Sequence, residues 1–162
     1  MLGLMNGAYS INNPRRLFEK LVRSFTAFCE SPSGDGILDV VFPLYHLREW
    51  ICLGGYDSYK HKPGDARTRE ELLHAHFHEM PQYEVLRSLC NAAKHYSAET
   101  LAGRTEILEG FHADLGRAGD SLGVMHFLVD GQEIRDLFWP VYMVYFDYFR
   151  AAQPGSQPDA AR

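Results

Sequence analysis

The segment Arg87-Ser88-Leu89-Cys90-Asn91-Ala92-Ala93-Lys94-His95 carries polar side chains at intervals of four. On an α-helix, residues four apart sit one above another, so Arg87, Asn91 and His95 share a stripe with Lys94 beside it. A stripe of that composition suits an oxyanion. Arg87 and Lys94 would hold the charge, Asn91 would orient the group, and His95 would act as acid or base near neutral pH. The same spacing equally describes a solvated helix face or a hydrogen-bond network between helices. Cys90 falls on the adjoining apolar stripe and reads as a core residue. Positions five apart leave a helix about 140° from one another, which disfavours a Cys90–His95 dyad.

A second constellation is rich in histidine: Glu70-Glu71-Leu72-Leu73-His74-Ala75-His76-Phe77-His78-Glu79. His74 and His78 are one helical turn apart, and Glu71-x-x-His74 has the spacing used by carboxylate-bridged metal bundles, which makes iron or zinc the alternative cofactor. Glu109-Gly110-Phe111-His112 repeats the spacing, although Gly110 argues against a helix there. Surface or pocket-lining histidines are the competing interpretation. Earlier in the chain, His46, Glu49 and Trp50 fall on one predicted helix. His46 and Trp50 either stack as a structural pair, or His46 faces His95 across a bundle with Trp50 as the wall. There is no phosphate-binding Walker loop, dinucleotide fingerprint, Gly-x-Ser-x-Gly elbow or His-Glu-x-x-His motif.

The elements that must position these residues are mostly helical. Asn13-Pro14 is an N-cap followed by proline at the first helical position. Leu17, Phe18, Leu21, Val22, Phe25 and Phe28 then recur at helical spacing, ending near Ser31-Pro32. A second helix is predicted from Ile37 to Leu53, kinked at Pro43 and stopped by Gly54-Gly55, and 56–67 form a loop. Thr68 and Glu71 make a capping box for a short helix through Glu79, and Pro81 opens the next, with Leu86, Leu89, Cys90, Ala93 and Tyr96 on its buried face. Residues 101–121 read as strand or irregular connection. Val124–Val129 and Gln132–Arg135 flank Asp130-Gly131, whose residue types suit a tight type I′ hairpin. A final helix follows over Phe138–Arg150 with Pro140 in its first turn. The expected fold is mainly α: a bundle of four to five helices with a small β-hairpin before the last, one domain over 1–151 and a disordered tail over 152–162.

Composition narrows the function classes. The chain has 162 residues and a net charge of −5, which opposes broad electrostatic attraction to nucleic acid. Aromatic residues make up 13%, concentrated between Phe138 and Phe149, so that segment must be core, interface or pocket wall. The three cysteines have no zinc spacing and their odd number suits a reducing compartment, so the cytoplasm is the expected location. No apolar stretch approaches the roughly 20 residues of a membrane span.

Cys90-Asn91-Ala92-Ala93-Lys94-His95 resembles the Arg-Asn-x-x-x-His signature of HEPN domains, which are helical bundles. It is also similar to the Asn-x-x-Lys-His segment of bacterial and phage helical proteins in which an earlier helix carries His-x-x-x-Trp, here His46-Leu47-Arg48-Glu49-Trp50, and a late hairpin precedes the final helix. The resemblance covers about half the chain and rests on short motifs. Catalytic HEPN domains are metal-independent ribonucleases that dimerise to bring two motifs together. Only Asn91 and His95 match here, because Cys90 stands where the pattern has arginine. The nearest arginine, Arg87, is separated from His95 by seven residues, more than the pattern allows. The resemblance therefore implies a binding or interaction module, divergent or inactive as a nuclease, homodimeric, without cofactor, in a bacterial defence or toxin-related setting, with RNA or protein as partner. The alternatives are a ribonuclease acting through His95 and a metal-dependent enzyme at His74 and His78.

Overall fold

The computed structural model describes residues 11–95 and 104–152, Lys94 and His95 by their backbone alone. Helix α1, Pro14–Glu30, starts where Asn13 accepts a hydrogen bond from the Arg16 amide, and it buries Leu17, Phe18, Leu21, Phe25 and Phe28. Helix α2, Gly34–Ile51, begins three residues earlier than the apolar periodicity predicts and ends two earlier. Two local contacts explain the early start. The Ser33 hydroxyl accepts from the Gly36 amide at 3.0 Å, and Gly36 lies so close to Phe28 that a Cβ would meet the ring at 2.9 Å. Glycine is thus required in a turn where its helix propensity is poor. Pro43 lies inside α2, buried, and leaves the preceding turn one hydrogen bond short.

Two short 3₁₀ turns, Gly55–Ser58 and Gly64–Ala66, occupy the predicted loop. The capping box of Thr68 and Glu71 is formed and starts α3, Arg69–Glu79, and α4 runs Pro81–His95. Within α4 the inward residues are Tyr83, Leu86 and Cys90. Leu89 is half-buried, Ala93 is exposed, correcting the predicted buried face, and Tyr96 lies outside the described residues.

Strand β1, Thr105–Glu109, pairs antiparallel with β2, Met125–Val129, which pairs with the two-residue β3, Gln132–Glu133. The hairpin turns at Asp130 and Gly131, both at positive φ (53° and 76°). Nothing lies within 4 Å of a Cβ built on Gly131, so the cost of a side chain there is conformational alone. Gly131→Ala is expected to lower stability by about 1 kcal/mol, read as a shift in urea midpoint at constant slope.

The last helix departs most from expectation. Helix α5 spans Ile134–Ala151, four residues earlier than predicted, so the second hairpin strand stops at Glu133 and Pro140 sits mid-helix rather than in the first turn. Glu133 sets the start, its carboxylate accepting the Arg135 amide at 2.9 Å. Ile134, Leu137, Phe138, Val141, Tyr142, Tyr145 and Phe149 then bury one face. A single apolar cluster draws residues from all five helices and β2. Tyr145 is fully buried and donates to the Leu44 carbonyl at 3.1 Å, tying α5 to α2. The fold is mainly α with a small antiparallel sheet before the last helix. Among the described residues no helix is long and apolar enough to cross a membrane.

Candidate functional site

Helices α2 and α4 pack side by side, and His46 from one meets Cys90 from the other at the seam between them. On α2, His46 and Glu49 are one turn apart, with His46 Nδ1 3.0 Å from Glu49 Oε2. His46 Nε2 points the other way and lies 3.6 Å from the Sγ of Cys90 on α4. An ionised Glu49 accepts the hydrogen on Nδ1, which leaves Nε2 as the basic nitrogen facing the thiol. The row carboxylate–imidazole–thiol can move a proton along its length. Its thiol is buried, whereas His46 remains accessible.

His46 also lines a cavity of about 530 Å³ between α1 and α2. Leu17, Phe42, Pro43 and Trp50 supply apolar walls, and Lys20 and Asp39, 3.7 Å apart, contribute an ion pair. A cavity of that size is within the usual range for small ligands or a protruding side chain. His46 and Trp50 share it without stacking on each other. The ring parallel to His46 is Phe42, at 6.4 Å, and Tyr45 meets it edge-on at 5.0 Å.

Beside this seam lies Arg48, which sequence reasoning passed over. Its guanidinium stands 4.2 Å from the centre of the Tyr83 ring and 5.5 Å from that of Tyr45, and its Nε is buried without a hydrogen-bond partner. Tyr83 donates its hydroxyl to the Tyr45 carbonyl, and burial raises its pKa. Arg48 thus fastens α2 to α4 through cation–π contacts directly behind the His46 row.

The stripe on α4 is only partly visible. Arg87 is exposed and donates to Glu84, one turn before it, at 2.6 Å, and Asn91 is exposed. The side chains of Lys94 and His95 lie outside the described residues, as does any pairing of His46 with His95. Arg87 and Asn91 face solvent.

On the histidine-rich helix α3, Glu71, His74 and His78 each have a partner of their own. The Glu71 carboxylate accepts from Lys62 Nζ at 2.7 Å and from the Thr68 amide at 3.0 Å; these two bonds hold its pKa below the ordinary range. His74 is buried, with Nδ1 2.8 Å from the Tyr59 hydroxyl. His78 is exposed and stacks on Tyr56. The proposed second copy is not helical, since Glu109 ends β1 and Gly110 has φ 90°. Among the described residues no three His, Cys, Asp or Glu side chains come together in a way that would hold a metal.

No known protein family, curated protein or solved structure matches this chain.

A further polar centre lies at the other end of the molecule. Arg135, fully buried, donates Nε to Glu133 at 3.0 Å and both terminal nitrogens to Asp120, at 2.9 and 3.2 Å. One of those nitrogens also reaches His126 Nδ1 at 3.4 Å. An arginine always donates, so the hydrogen of neutral His126 resides on Nε2, which is buried without a polar partner and sits in a ring edge-on to His112 at 5.7 Å. Sequence reasoning missed this centre; the one signal for it is weak, charged residues clustered around a hairpin whose strand, Met125–Val129, is otherwise apolar.

Proposed function

We propose that the chain is a HEPN-like helical interaction module, inactive as a nuclease, whose ligand contact is the α2–α4 seam and the cavity opening beside it. One observation carries this reading. His46, from the first motif, touches Cys90, the residue immediately before Asn91 in the second, so both motifs of the resemblance border one seam. Binding is favoured over RNA cleavage by the two residues that would replace the motif's arginine. Cys90 faces inward against His46, and Arg87 is paired with Glu84. The apolar cavity wall and the net charge of −5 favour a protein partner over RNA. A bacterial defence or toxin-related setting is what the resemblance implies.

Three measurements test the reading. Labelled single-stranded RNA is expected to survive incubation with the wild-type chain and with His95→Ala, with or without chelator. Cleavage that is chelator-resistant and lost in His95→Ala would replace it with the ribonuclease reading. Elemental analysis comes first: stoichiometric iron or zinc would shift the site to Glu71, His74 and His78. An apolar dye such as anilinonaphthalene sulfonate is expected to brighten on the folded protein and to lose at least half of that signal in Trp50→Ala. Unchanged brightening would remove the cavity from the proposed site.

A further inference from the structure

The sheet has two margins. At one, the two-residue β3 runs straight into α5; at the other, β1 extends over five residues, of which Thr105, Glu106, Ile107 and Glu109 are exposed. The ladder with β2 fixes which way each peptide group of β1 points. The Asp130 amide donates to the Arg104 carbonyl, and the Gly110 amide to the Val124 carbonyl. Bonded positions alternate with unbonded ones in an antiparallel pair, so Glu106 and Leu108 complete this ladder. The N–H and C=O groups of Thr105, Ile107 and Glu109 point away from it, and among the described residues no backbone partner meets them. Three donors and three acceptors in a row are a template for one more strand.

The side chains define which strand. Ile107 stands opposite Phe127, a core residue, and directly paired residues share a face. Ile107 therefore carries the core face of the sheet past its last covered strand, and it remains 58% exposed. Phe111 and Leu122, 67% and 86% exposed, continue the apolar surface past the Glu109 end. Glu106 and Glu109 lie on opposite faces of the strand, and neither has an ion pair or side-chain hydrogen bond among the described residues. A second copy of this edge would bring the same two carboxylates with it and gain no opposite charge. A strand with lysine or arginine opposite each carboxylate gains two charge pairs, in a protein whose net charge of −5 already attracts cations.

From this we infer that β1 is a docking edge for an extended, basic and apolar peptide segment of a partner protein, which adds as a fourth strand antiparallel to β1. In its own chain order that segment sets lysine or arginine opposite Glu109, apolar residues opposite Leu108 and Ile107, lysine or arginine opposite Glu106, and a small polar residue opposite Thr105. The inference is independent of the α2–α4 seam, and either can fail without the other.

The probe is a blocked, fluorescein-labelled peptide with Lys-Ile-Val-Lys-Thr at its centre, titrated with the full chain and read by anisotropy. Saturable binding with Kd on the order of 100 µM is expected, appropriate to so short an interface. Replacing both lysines of the peptide by glutamate should weaken binding roughly tenfold at low salt, and the double variant Glu106→Lys, Glu109→Lys should reverse that preference. Ile107→Pro removes one outward N–H and leaves the ladder with β2 intact, so binding should fall roughly tenfold while the far-ultraviolet circular dichroism stays the same. Methylating the peptide nitrogens that face Thr105, Ile107 and Glu109 makes the same test on the unaltered protein and should abolish binding. In amide exchange the Ile107 N–H should be fast in the free protein and slowed by the peptide, and the Leu108 N–H slow in both. Absence of saturable binding up to about 1 mM peptide would overturn the inference. So would binding that survives nitrogen methylation, which identifies attraction by charge alone, or Ile107 exchange untouched by the peptide.

Discussion

Arg135→Ala is expected to destabilise the protein by about 3–5 kcal/mol, measured by urea unfolding near neutral pH. The guanidinium has no exposure to solvent, and its donors satisfy two carboxylates that are almost as deeply buried, Asp120 and Glu133. Removing it leaves those charges in a medium that solvates them poorly. Arg117 offsets part of the loss, since it reaches both Glu133 and Asp136 from the rim. The damage spreads along the chain because Asp120 anchors the connection between β1 and β2, while Glu133 caps α5. Arg135→Met separates charge from volume. It fills most of the space, so a loss close to that of alanine would assign the effect to the stranded carboxylates, and a much smaller loss would assign it to packing. Adding Asp120→Asn to Arg135→Met should be less harmful than the sum of the two, because the first change removes the charge the second would strand. The network also has a pH signature. The Arg135 hydrogen bonds hold the Asp120 pKa below the ordinary carboxylate range. Its contribution is therefore present above the unfolded carboxylate pKa and lost as pH falls through the lower folded value.

How much of this was legible in the sequence depended on the range of the forces involved. Asn13-Pro14, Thr68 with Glu71 and Asp130-Gly131 act within four residues, and each formed the cap or turn its chemistry predicts. Pro140 misled for a related reason: proline is preferred in a first helical turn, but the Glu133 cap and seven buried apolar residues extend α5 past it. Strand β1 could not be told from irregular connection because Ile107 and Leu108 stand side by side in an otherwise polar run, so no alternation marked it. It exists through pairing with β2, where Thr105 meets Val129. The site divides in the same way. His46, Glu49 and Trp50 stood out by residue type. The contact of His46 with Cys90 spans 44 positions and depends on how α2 and α4 rotate against each other. Neither Arg48 nor Arg135 stood out in the sequence. Only tertiary packing places one over tyrosines and the other among buried carboxylates.

Between pH 6.5 and 4 the wild-type protein is expected to lose roughly 2–3 kcal/mol of stability that a His74→Phe variant does not lose. Burial is the main cause, with Arg48 and His78 adding unfavourable positive charge, and together they lower the His74 pKa to about 4. In the unfolded chain the same imidazole takes up its proton near pH 6.5. From that pH downward the unfolded state binds the proton and the folded state does not, so acid favours unfolding. The slope ends near pH 4, where both forms are protonated. Neutral His74 is well accommodated: its Nδ1 lies 2.8 Å from the Tyr59 hydroxyl, and a Cβ built on Gly55 would lie 3.8 Å from its Nε2. His74→Phe keeps the aromatic volume but leaves Tyr59 without its acceptor, so the variant should start about 1 kcal/mol less stable at neutral pH. The two stability curves should then converge or cross as the pH falls. Urea midpoints measured at half-unit intervals decide the matter. Parallel curves for wild type and His74→Phe would show that other groups carry the acid sensitivity and that His74 is protonated without cost in the folded protein.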